Sequence, residues 1–440
     1  MKPNDVAMNT QETKEIEIQT DEPESKPVEY DEQKLADFLS KMYPKMQEAL
    51  DDSVTMMDVK RRAFAEDKTD IKVKLLQEIR ISNENLQICA MCWNSTGNSI
   101  AISSTYEHQS WCHHKGTVNV YTLNREDLLP DAPQKILHAS ACVTTLRFHP
   151  TITALLAGGS RSGEILLWNI QLEESVVLKV NAHEEIVTQI SWVNDIDLTS
   201  NPLLATSSLD GFLNLWRFNS TTNSLDIKDK YKIKSPLFGR LQRKSELPLD
   251  IARKVDRGVI GFDFSKFEPH MFVVAAEGGL VARCSMLGTK TIKGSAGDCP
   301  ISDPVYKYYT AHEGEITTIL FSPNRREMFM TNGSDGEIRI YVLNQEEAAQ
   351  VIFIESPIKN VAWIPHEEKL LAACGVAGFI EIFDVLKGKS VDYSIDEKYE
   401  KSVMNLMEIN SRRINTVIVG SAEGILQLWT IPWHLYSRKP

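Results

Sequence analysis

The residues most capable of chemistry are cysteines and histidines early in the chain. Cys89 and Cys92 stand three positions apart, and Cys112, His113 and His114 follow. Thiolate and imidazole groups at such spacings are typical zinc ligands. The pattern around Cys89 predicts a strand, however, and strand residues an odd number apart point to opposite faces. We therefore predict no metal site, and we place Cys112, His113 and His114 in a loop between two strands.

Two glycine pairs resemble the start of a phosphate-binding loop but lack its other parts. Neither Gly158-Gly159 nor Gly278-Gly279 is followed by Lys-Ser or Lys-Thr and a helix, which that loop requires. The sequence also contains no Gly-x-Ser-x-Gly elbow and no His-Glu-x-x-His helix. It therefore predicts a protein that is not an enzyme and that needs no cofactor.

A basic run extends over residues 228–257. Few aromatic residues lie between its cations to stack on bases, which argues against a nucleic-acid site. The remaining interpretations are a contact with an acidic partner and a solvated loop inserted before the fourth repeat, and we favour the loop. Its cations include Lys230, Lys232, Lys234, Arg240, Arg243, Lys244, Arg253 and Lys254.

A glycine followed five residues later by a large side chain recurs along the chain. Glycine accepts the positive φ of a tight hairpin, and the alternating residues after it form a strand. A short apolar run precedes each copy as the first arm of the hairpin, and a further strand lies upstream. The copies span residues 116–121, 163–168, 211–216, 279–284, 336–341, 378–383 and 424–429.

The spacing of these copies predicts a β-propeller. Most terminal aromatic residues, such as Tyr121, Trp168 and Trp216, are 42 to 48 residues apart, which suits four short strands per repeat. The steps from Trp216 to Cys284 and from Cys284 to Tyr341 are longer, 68 and 57 residues, and we expect loop insertions there. Seven copies predict an all-β ring of seven blades.

The repeats resemble those of the WD-repeat family. In that family a histidine before the blade, a serine or threonine in the second strand, an aspartate in the turn and a tryptophan in the third strand form a hydrogen-bonded tetrad. Two sets fit: His183, Asp210 and Trp216, and then His312, Asp335 and Tyr341, with tyrosine in place of tryptophan. Trp168 and Trp429 hold the terminal aromatic position in degenerate repeats.

A propeller is stable only when its last blade finds a partner, so the ring must close. We predict that residues 80–88, including Ile81 and Leu86, supply the outer strand of the blade that ends at Trp429. Residues 431–435 are then expected to pack on the rim. The propeller is accordingly assigned to residues 81–433, with a tail at 434–440.

Acidic residues are concentrated before the repeats. The chain has a formal charge of −12, and residues 1–52 contribute −8 of it through 14 Asp or Glu against 6 Lys. Residues 1–30 contain few large apolar groups and cannot repay the entropy of ordering, which predicts a disordered arm. The acidic balance argues against nucleic acid or an anionic membrane as a partner. The polar start and the lack of a long apolar run predict neither a signal peptide nor a membrane span, and seven cysteines without a dense framework favour reduced thiols.

One segment of the arm fits strand addition to a partner. Ile16, Ile18 and Thr20 alternate around Gln19, with Asp21 next. Such an extended peptide adds a strand to an exposed sheet edge, where backbone hydrogen bonds provide affinity.

A second segment, residues 31–52, fits an amphipathic helix. We expect Pro44 to kink or break it. A helix packed on the propeller is the alternative to one docked in a partner's groove, and we favour the groove. Residues 53–80 are assigned as a linker with a second amphipathic run at 71–79, which we expect to pack against the first blade. The apolar residues of the helix recur at Leu35, Phe38, Leu39, Met42, Met46 and Leu50.

The combination of acidic arm and propeller resembles the dynein intermediate chains. Residues 93–97, 148–150, 162–168 and 277–285, with Cys284 in place of an aromatic residue, are most similar to the shorter intermediate-chain type of cytoplasmic dynein 2, the retrograde intraflagellar transport motor. The resemblance covers residues 85–431 well and the arm only in layout. It implies a non-catalytic subunit that joins light chains, through the arm, to the heavy-chain tail, through the propeller.

The resemblance also implies partners and a location. The partners are the dynein 2 heavy chain, a second and longer intermediate chain, and light chains of the hub, roadblock and Tctex types, in the cytoplasm, the cytoskeleton, the cilium and its base. No direct membrane insertion is implied, and the single Gln-Thr motif departs from the family layout. The alternative is a scaffold or substrate receptor of another complex, such as a ubiquitin ligase. The implied contacts are Ile18, Gln19, Thr20 and Asp21 for the hub type, and Leu35, Phe38, Leu39 and Met42 for the roadblock type.

Overall fold

The chain forms two compact units, Met1–Thr69 and Asp70–Pro440, in a computed structural model. The first unit contains one described helix, α1, at residues 33–47. No helix in the described part of the chain is both long and apolar enough to cross a membrane. The structure describes residues 33–47, 72–81, 86–106, 114–196, 201–235, 255–292, 299–391, 393–395, 399 and 401–433.

Helix α1 follows the helical spacing of the second arm segment. We expected Pro44 to kink or break the helix, but Pro44 lies inside α1, which continues to residue 47, so the helix is not broken there. Proline removes one N–H donor to the carbonyl four residues earlier. A loss near the end of a helix affects few further hydrogen bonds, and the helix tolerates it.

The second unit is a seven-bladed β-propeller, as the repeats predict. Each blade is an antiparallel sheet whose first strand contacts the first strands of its neighbours around the ring. Strands are numbered β1 to β33 in chain order.

Blade 1 contains β2 to β5, at Gln87–Trp93, Ser99–Thr105, Gly116–Thr122 and Lys135–Ala139. Blade 2 contains β6 to β9, at Val143–Phe148, Leu155–Ser160, Glu164–Asn169 and Val176–Asn181. Blade 3 contains β10 to β13, at Val187–Val193, Leu203–Ser208, Phe212–Asn219 and Ser224–Lys232.

The remaining blades follow the same plan. Blade 4 contains β16, β17, β18 and β21, at Val259–Phe264, Met271–Ala276, Leu280–Ser285 and Val305–Tyr308. Blade 5 contains β22 to β25, at Ile316–Phe321, Met328–Gly333, Glu337–Val342 and Gln350–Phe353. Blade 6 contains β26 to β29, at Ile358–Trp363, Leu370–Gly375, Glu381–Asp384 and Lys389–Ser390. Blade 7 contains β31, β32, β33 and β1, at Met404–Ile409, Thr416–Ser421, Ile425–Thr430 and Lys72–Arg80, with β30 at Ser394–Ile395 beside β1.

The hydrophobic core is divided among the junctions between blades. The described residues form seven clusters of buried side chains, and each cluster joins two neighbouring blades. The second strand of nearly every blade is buried along its whole length, because alternate side chains pack against the blade on either side. Stability therefore comes from contacts that exist only when the ring is complete.

The ring closes through β1, which pairs antiparallel with β33 from Lys74 opposite Thr430 to Arg80 opposite Ile425. The predicted seal at residues 80–88 is therefore wrong in position. The second amphipathic run, which we expected to pack against the first blade, is itself the closing strand. Ile431 and Trp433 are buried in the core between blades 6 and 7 and not on the rim as expected, and residues 434–435 lie outside the described residues.

The two long steps between repeats differ from expectation in part. Lys228, Lys230 and Lys232 lie in β13, the fourth strand of blade 3, and not in a loop. Lys234 lies in β14, Lys234–Ser235, which pairs with β15, Val255–Asp256. Arg240, Arg243, Lys244, Arg253 and Lys254 lie outside the described residues.

The second long step also forms strands. Between the third and fourth strands of blade 4, the chain crosses to the edge of blade 3 and forms two short strands there. These are β19, Lys290–Thr291, and β20, Ile301–Asp303. There β20 pairs parallel with β13, with Lys230 opposite Ile301. The expected insertion thus extends the neighbouring sheet to six strands and covers its outer edge, which would otherwise offer unpaired backbone groups.

Candidate functional site

Helix α1 presents an apolar stripe, formed by Leu35, Phe38, Leu39, Met42 and Met46. All of these side chains are exposed except Met42, which is half-buried. Spacings of three and four residues place them on one side of the helix. The four residues predicted to contact a roadblock-type light chain are thus together on one surface, whereas Ile18, Gln19, Thr20 and Asp21 lie outside the described residues. Covering one large apolar side chain contributes about 1.5–3 kcal/mol, so a partner can gain binding energy here.

The tetrad of blade 3 is complete. His183 Nδ1 donates to Asp210 at 3.0 Å, and Thr206 Oγ1 lies 2.9 Å from His183 Nε2. Trp216 Nε1 donates to the same Thr206 oxygen at 3.0 Å. The threonine hydroxyl therefore accepts from the indole and is also hydrogen-bonded to the imidazole. The residues that we assigned from the family resemblance are brought together, and the missing member is Thr206.

An aspartate, a histidine and a hydroxyl in series are also the parts of a nucleophilic relay. In blade 3 the hydroxyl belongs to Thr206, which is fully buried, so no substrate reaches it. Burial would raise the pKa of Asp210, but hydrogen bonds from His183 and from two backbone amides hold that pKa below its usual value. The charge of Asp210 thus fixes the turn between two strands, and the relay is structural.

Blade 5 repeats the arrangement with one change. His312 Nδ1 lies 2.9 Å from Asp335, and its Nε2 lies 2.6 Å from Thr331 Oγ1. Tyr341 donates its hydroxyl to the carbonyl of Thr310 at 2.9 Å. The hydroxyl of a tyrosine lies farther from its own backbone than the N–H of a tryptophan does. The Tyr341 hydroxyl therefore binds the backbone of the loop before the blade.

His312, Asp335 and Glu337 also satisfy the spacing of a metal site, since one ligand atom from each lies within 4.8 Å of the others. Both nitrogens of His312 are already hydrogen-bonded within the blade. Arg339 pairs with Glu337 at 2.7 Å and lies 3.7 Å from Asp335. A guanidinium in this position supplies the positive charge that a metal would bring, so the donor set does not fit a metal ion.

Trp168 and Trp429 lack the full tetrad, and only the indole N–H of Trp429 is hydrogen-bonded within the described residues. Trp429 Nε1 donates to Gln427 at 3.2 Å. Trp168 is fully buried, and its indole N–H has no hydrogen-bond partner among the residues that the structure describes. Gly158 stands where blade 3 has Thr206, and a Cβ there would lie 2.5 Å from the Trp168 ring. The ring occupies the space of the missing threonine.

The two cysteines of the zinc candidate do not point to opposite faces, so that prediction is wrong: a β-bulge at Cys89 shifts the register of the strand. Cys92 is buried in the core between blades 1 and 2, and Cys89 donates its thiol to the carbonyl of Val143 in the first strand of blade 2. Burial raises the pKa of both thiols to about 12. Cys112 and His113 lie outside the described residues, and the His114 ring contacts Tyr106.

Three charged residues, Arg147, Glu408 and Asp263, lie on the first strands of their blades. Arg147 of blade 2 pairs with Glu408 of blade 7 at 2.8 Å, although blade 1 stands between these two blades. Asp263 of blade 4 accepts the backbone N–H of Phe321 at 2.7 Å. Burial raises the pKa of Asp263 to about 6. No local signal in the sequence connects Arg147 with Glu408, which are 261 residues apart, whereas Thr206 is recognisable by its fixed place in the second strand.

The family of the WD domain, G-beta repeat, matches residues 302–341. This segment ends at the third strand of blade 5 and contains His312, Asp335 and Tyr341.

Curated relatives cover most of the chain. The human protein named cytoplasmic dynein 2 intermediate chain 2 is 25% identical over 368 residues, 81% of this chain and 68% of that protein. Its mouse counterpart is 25% identical over 366 residues. The 78 kDa intermediate chain of the flagellar outer-arm dynein of Chlamydomonas reinhardtii is 21% identical over 347 residues, 77% of this chain and 47% of that protein.

The tetrads and the repeats indicate a WD-repeat propeller, and the relatives include dynein intermediate chains. WD-repeat propellers and dynein intermediate chains are in general scaffolds without catalysis, and the buried relays of blades 3 and 5 fit that description. The chain is therefore a seven-bladed WD-repeat propeller protein whose similarity to the dynein intermediate chains supports a dynein intermediate chain role.

Proposed function

We propose that the chain is a non-catalytic intermediate chain of cytoplasmic dynein 2, which joins light chains through its arm to the heavy-chain tail through its propeller. The observation that carries the proposal is similarity to intermediate chains of that motor over 81% of the chain. In this role the protein works in retrograde intraflagellar transport and cilium assembly. Its sites of action are then the cytoplasm, the cytoskeleton, the cilium and the ciliary base.

The propeller supplies a rigid platform for the heavy chain. Each of its blades is fixed by cores on both sides, so its loops keep their relative positions under load. A rigid surface loses little entropy when a partner binds.

The arm supplies two separate contacts. Gln19 and its neighbours bind a hub-type light chain by strand addition, and the apolar stripe of α1 binds a roadblock-type light chain. Dimeric light chains hold this arm beside that of a second, longer intermediate chain. Two weak contacts joined by one linker then produce durable assembly, because the second binding event occurs at high effective concentration. A Tctex-type light chain is a further partner in this proposal.

Affinity purification of the tagged full-length chain, with its subunits identified, tests the proposal. We expect the dynein 2 heavy chain and light chains in stoichiometric amounts. Recovery of a ubiquitin-ligase adaptor without motor subunits would favour the substrate-receptor alternative.

Arm variants test the two contacts separately. Gln19→Ala is expected to release the hub-type light chain, and Leu39→Asp the roadblock-type light chain. Ser40→Asp is the matched control for Leu39→Asp, because it adds the same charge on the opposite side of α1, where Ser40 is also exposed. Unchanged capture by Gln19→Ala and Leu39→Asp would remove these residues from the proposal.

A further inference from the structure

One edge of the propeller carries an uncovered apolar group. Phe353 ends β25 in blade 5 and is 76% exposed, more than any other large apolar side chain in the described residues. The loop that follows leads into blade 6, where Val376 is 46% exposed and donates its N–H to the carbonyl of Pro357 at 3.0 Å. We name Phe353, Glu355, Pro357, Val376 and Glu381 the blade 5–6 surface.

Two carboxylates of this surface form no ion pair within the part of the chain that the structure describes. Glu355 is exposed and Glu381 is half-buried. The backbone brings their segments together, since Glu381 lies opposite Ala373 in the sheet and Val376 binds Pro357, two residues after Glu355. Burial, and then the charge of Glu355, raise the pKa of Glu381. Neither forms an ion pair with another described residue. By contrast, Glu337 of the same blade is paired with Arg339 at 2.7 Å.

This arrangement specifies the chemistry of an occupant. An exposed phenylalanine gains free energy when an apolar group covers it. Two neighbouring carboxylates gain when a lysine or arginine lies between them. A nucleic acid or an anionic lipid surface would be repelled by both glutamates, so the complementary partner is a protein segment that combines apolar and basic side chains.

We propose that the blade 5–6 surface docks a basic amphipathic segment of a partner protein, whose apolar side chain covers Phe353 and whose lysine or arginine pairs with Glu355 and Glu381. The inference rests on the proposed function, because it states where and how the propeller grips another subunit. It adds the blades, the residues and the charge of the partner segment.

Photo-crosslinking in the assembled full-length protein tests this docking. The benzophenone amino acid p-benzoylphenylalanine replaces Phe353 in one variant and Val176 in a control, since Val176 is 50% exposed on the fourth strand of blade 2. Cross-linked peptides are then sequenced. We expect a cross-link from position 353, at least about tenfold above position 176, to a segment in which lysine or arginine flanks apolar residues.

Charge variants test the carboxylates in the same assay. The double variant Glu355→Lys, Glu381→Lys is expected to lower the cross-link yield by about tenfold, whereas Glu355→Asp, Glu381→Asp retains it. Both pairs are compared for thermal unfolding, so that a loss of fold is recognised. Equal yields at positions 353 and 176, an acidic cross-linked segment, or insensitivity to charge reversal would overturn the inference. The proposed function fails separately, when the cross-linked protein is not a dynein subunit.

Discussion

Gln77 of the closing strand and Leu129 of blade 1 share two hydrogen bonds. Gln77 Nε2 donates to the Leu129 carbonyl at 2.7 Å, and the Leu129 N–H donates to Gln77 Oε1 at 2.8 Å. Strand β1 thus completes the sheet of blade 7 and also binds the neighbouring blade. Ring closure therefore depends on the strand that directly follows the arm in the sequence.

Two substitutions in β1, one buried and one exposed, are expected to show whether this strand stabilises the closed ring. Val73→Asp places a carboxylate in the core between blades 6 and 7, where Val73 is 1% exposed. We expect a loss of at least about 3 kcal/mol in the free energy of unfolding, because a buried charge without a partner is costly. Leu76→Asp is the control, since Leu76 is 44% exposed on the same strand, and should change stability by about 0.5 kcal/mol or less. Denaturant unfolding measures both, and equal effects would contradict closure by β1.

The closing strand also shows where sequence patterns mislead. The apolar residues at 73, 75, 76 and 79 follow helical spacing, yet they form a strand. A β-bulge between Leu75 and Gln77 shifts the register of that strand, which is why its apolar residues do not alternate strictly. The hairpins were predictable because Gly163, Gly211 and Gly424 adopt the positive φ that the turn needs. Gly116 does not: it begins β4, and a Cβ there would lie 2.1 Å from the carbonyl oxygen of Ala141.

Contacts between residues far apart in the sequence could not be predicted from local sequence patterns. The pairing of Lys230 with Ile301 joins two neighbouring blades, and the ion pair of Arg147 with Glu408 joins residues that only the closed ring brings together. The apolar stripe of α1 could be predicted from helical spacing alone, whereas the light-chain contacts assigned to it remain a prediction. The tetrads were readable through the family resemblance, and Thr206 completes one of them.

Two conservative tryptophan variants test the tetrad. Trp216→Phe removes the indole that donates to Thr206 at 3.0 Å, and we expect a loss of about 1 kcal/mol beyond the change in packing. Trp168→Phe removes an N–H that has no partner, so its loss should be smaller. Thermal unfolding compares the two variants. A greater loss for Trp168→Phe would show that the hydrogen bond does not stabilise blade 3.

The turn aspartate should make stability fall in acid. Hydrogen bonds hold the pKa of Asp210 below its usual value in the folded state, against the opposing effect of burial. Its stabilising effect is therefore complete above the unfolded pKa of about 3.9 and is lost as pH falls through the lower folded pKa. Asp210→Asn should be less stable than the original chain at pH 7, with the difference shrinking below about pH 4. A difference independent of pH would contradict the assignment.

Asp263 should act with the opposite sign. Burial raises its pKa to about 6, so the folded state binds a proton more tightly than the unfolded state. Stability from this group is present below the unfolded pKa of about 3.9 and is lost as pH rises through about 6. Asp263→Asn should therefore raise the melting temperature at pH 7.5 relative to the original chain, and lose that advantage at pH 5. An equal shift at both values of pH would refute the titration of Asp263.

The most direct test of the central claim is reconstitution. The full-length chain is mixed with the heavy-chain tail of cytoplasmic dynein 2, the longer intermediate chain and the light chains, and the mass of the product is measured by light scattering after gel filtration. A single particle that contains every subunit is the result that we expect. Separate elution of this chain, while the other subunits assemble without it, would contradict the proposed role.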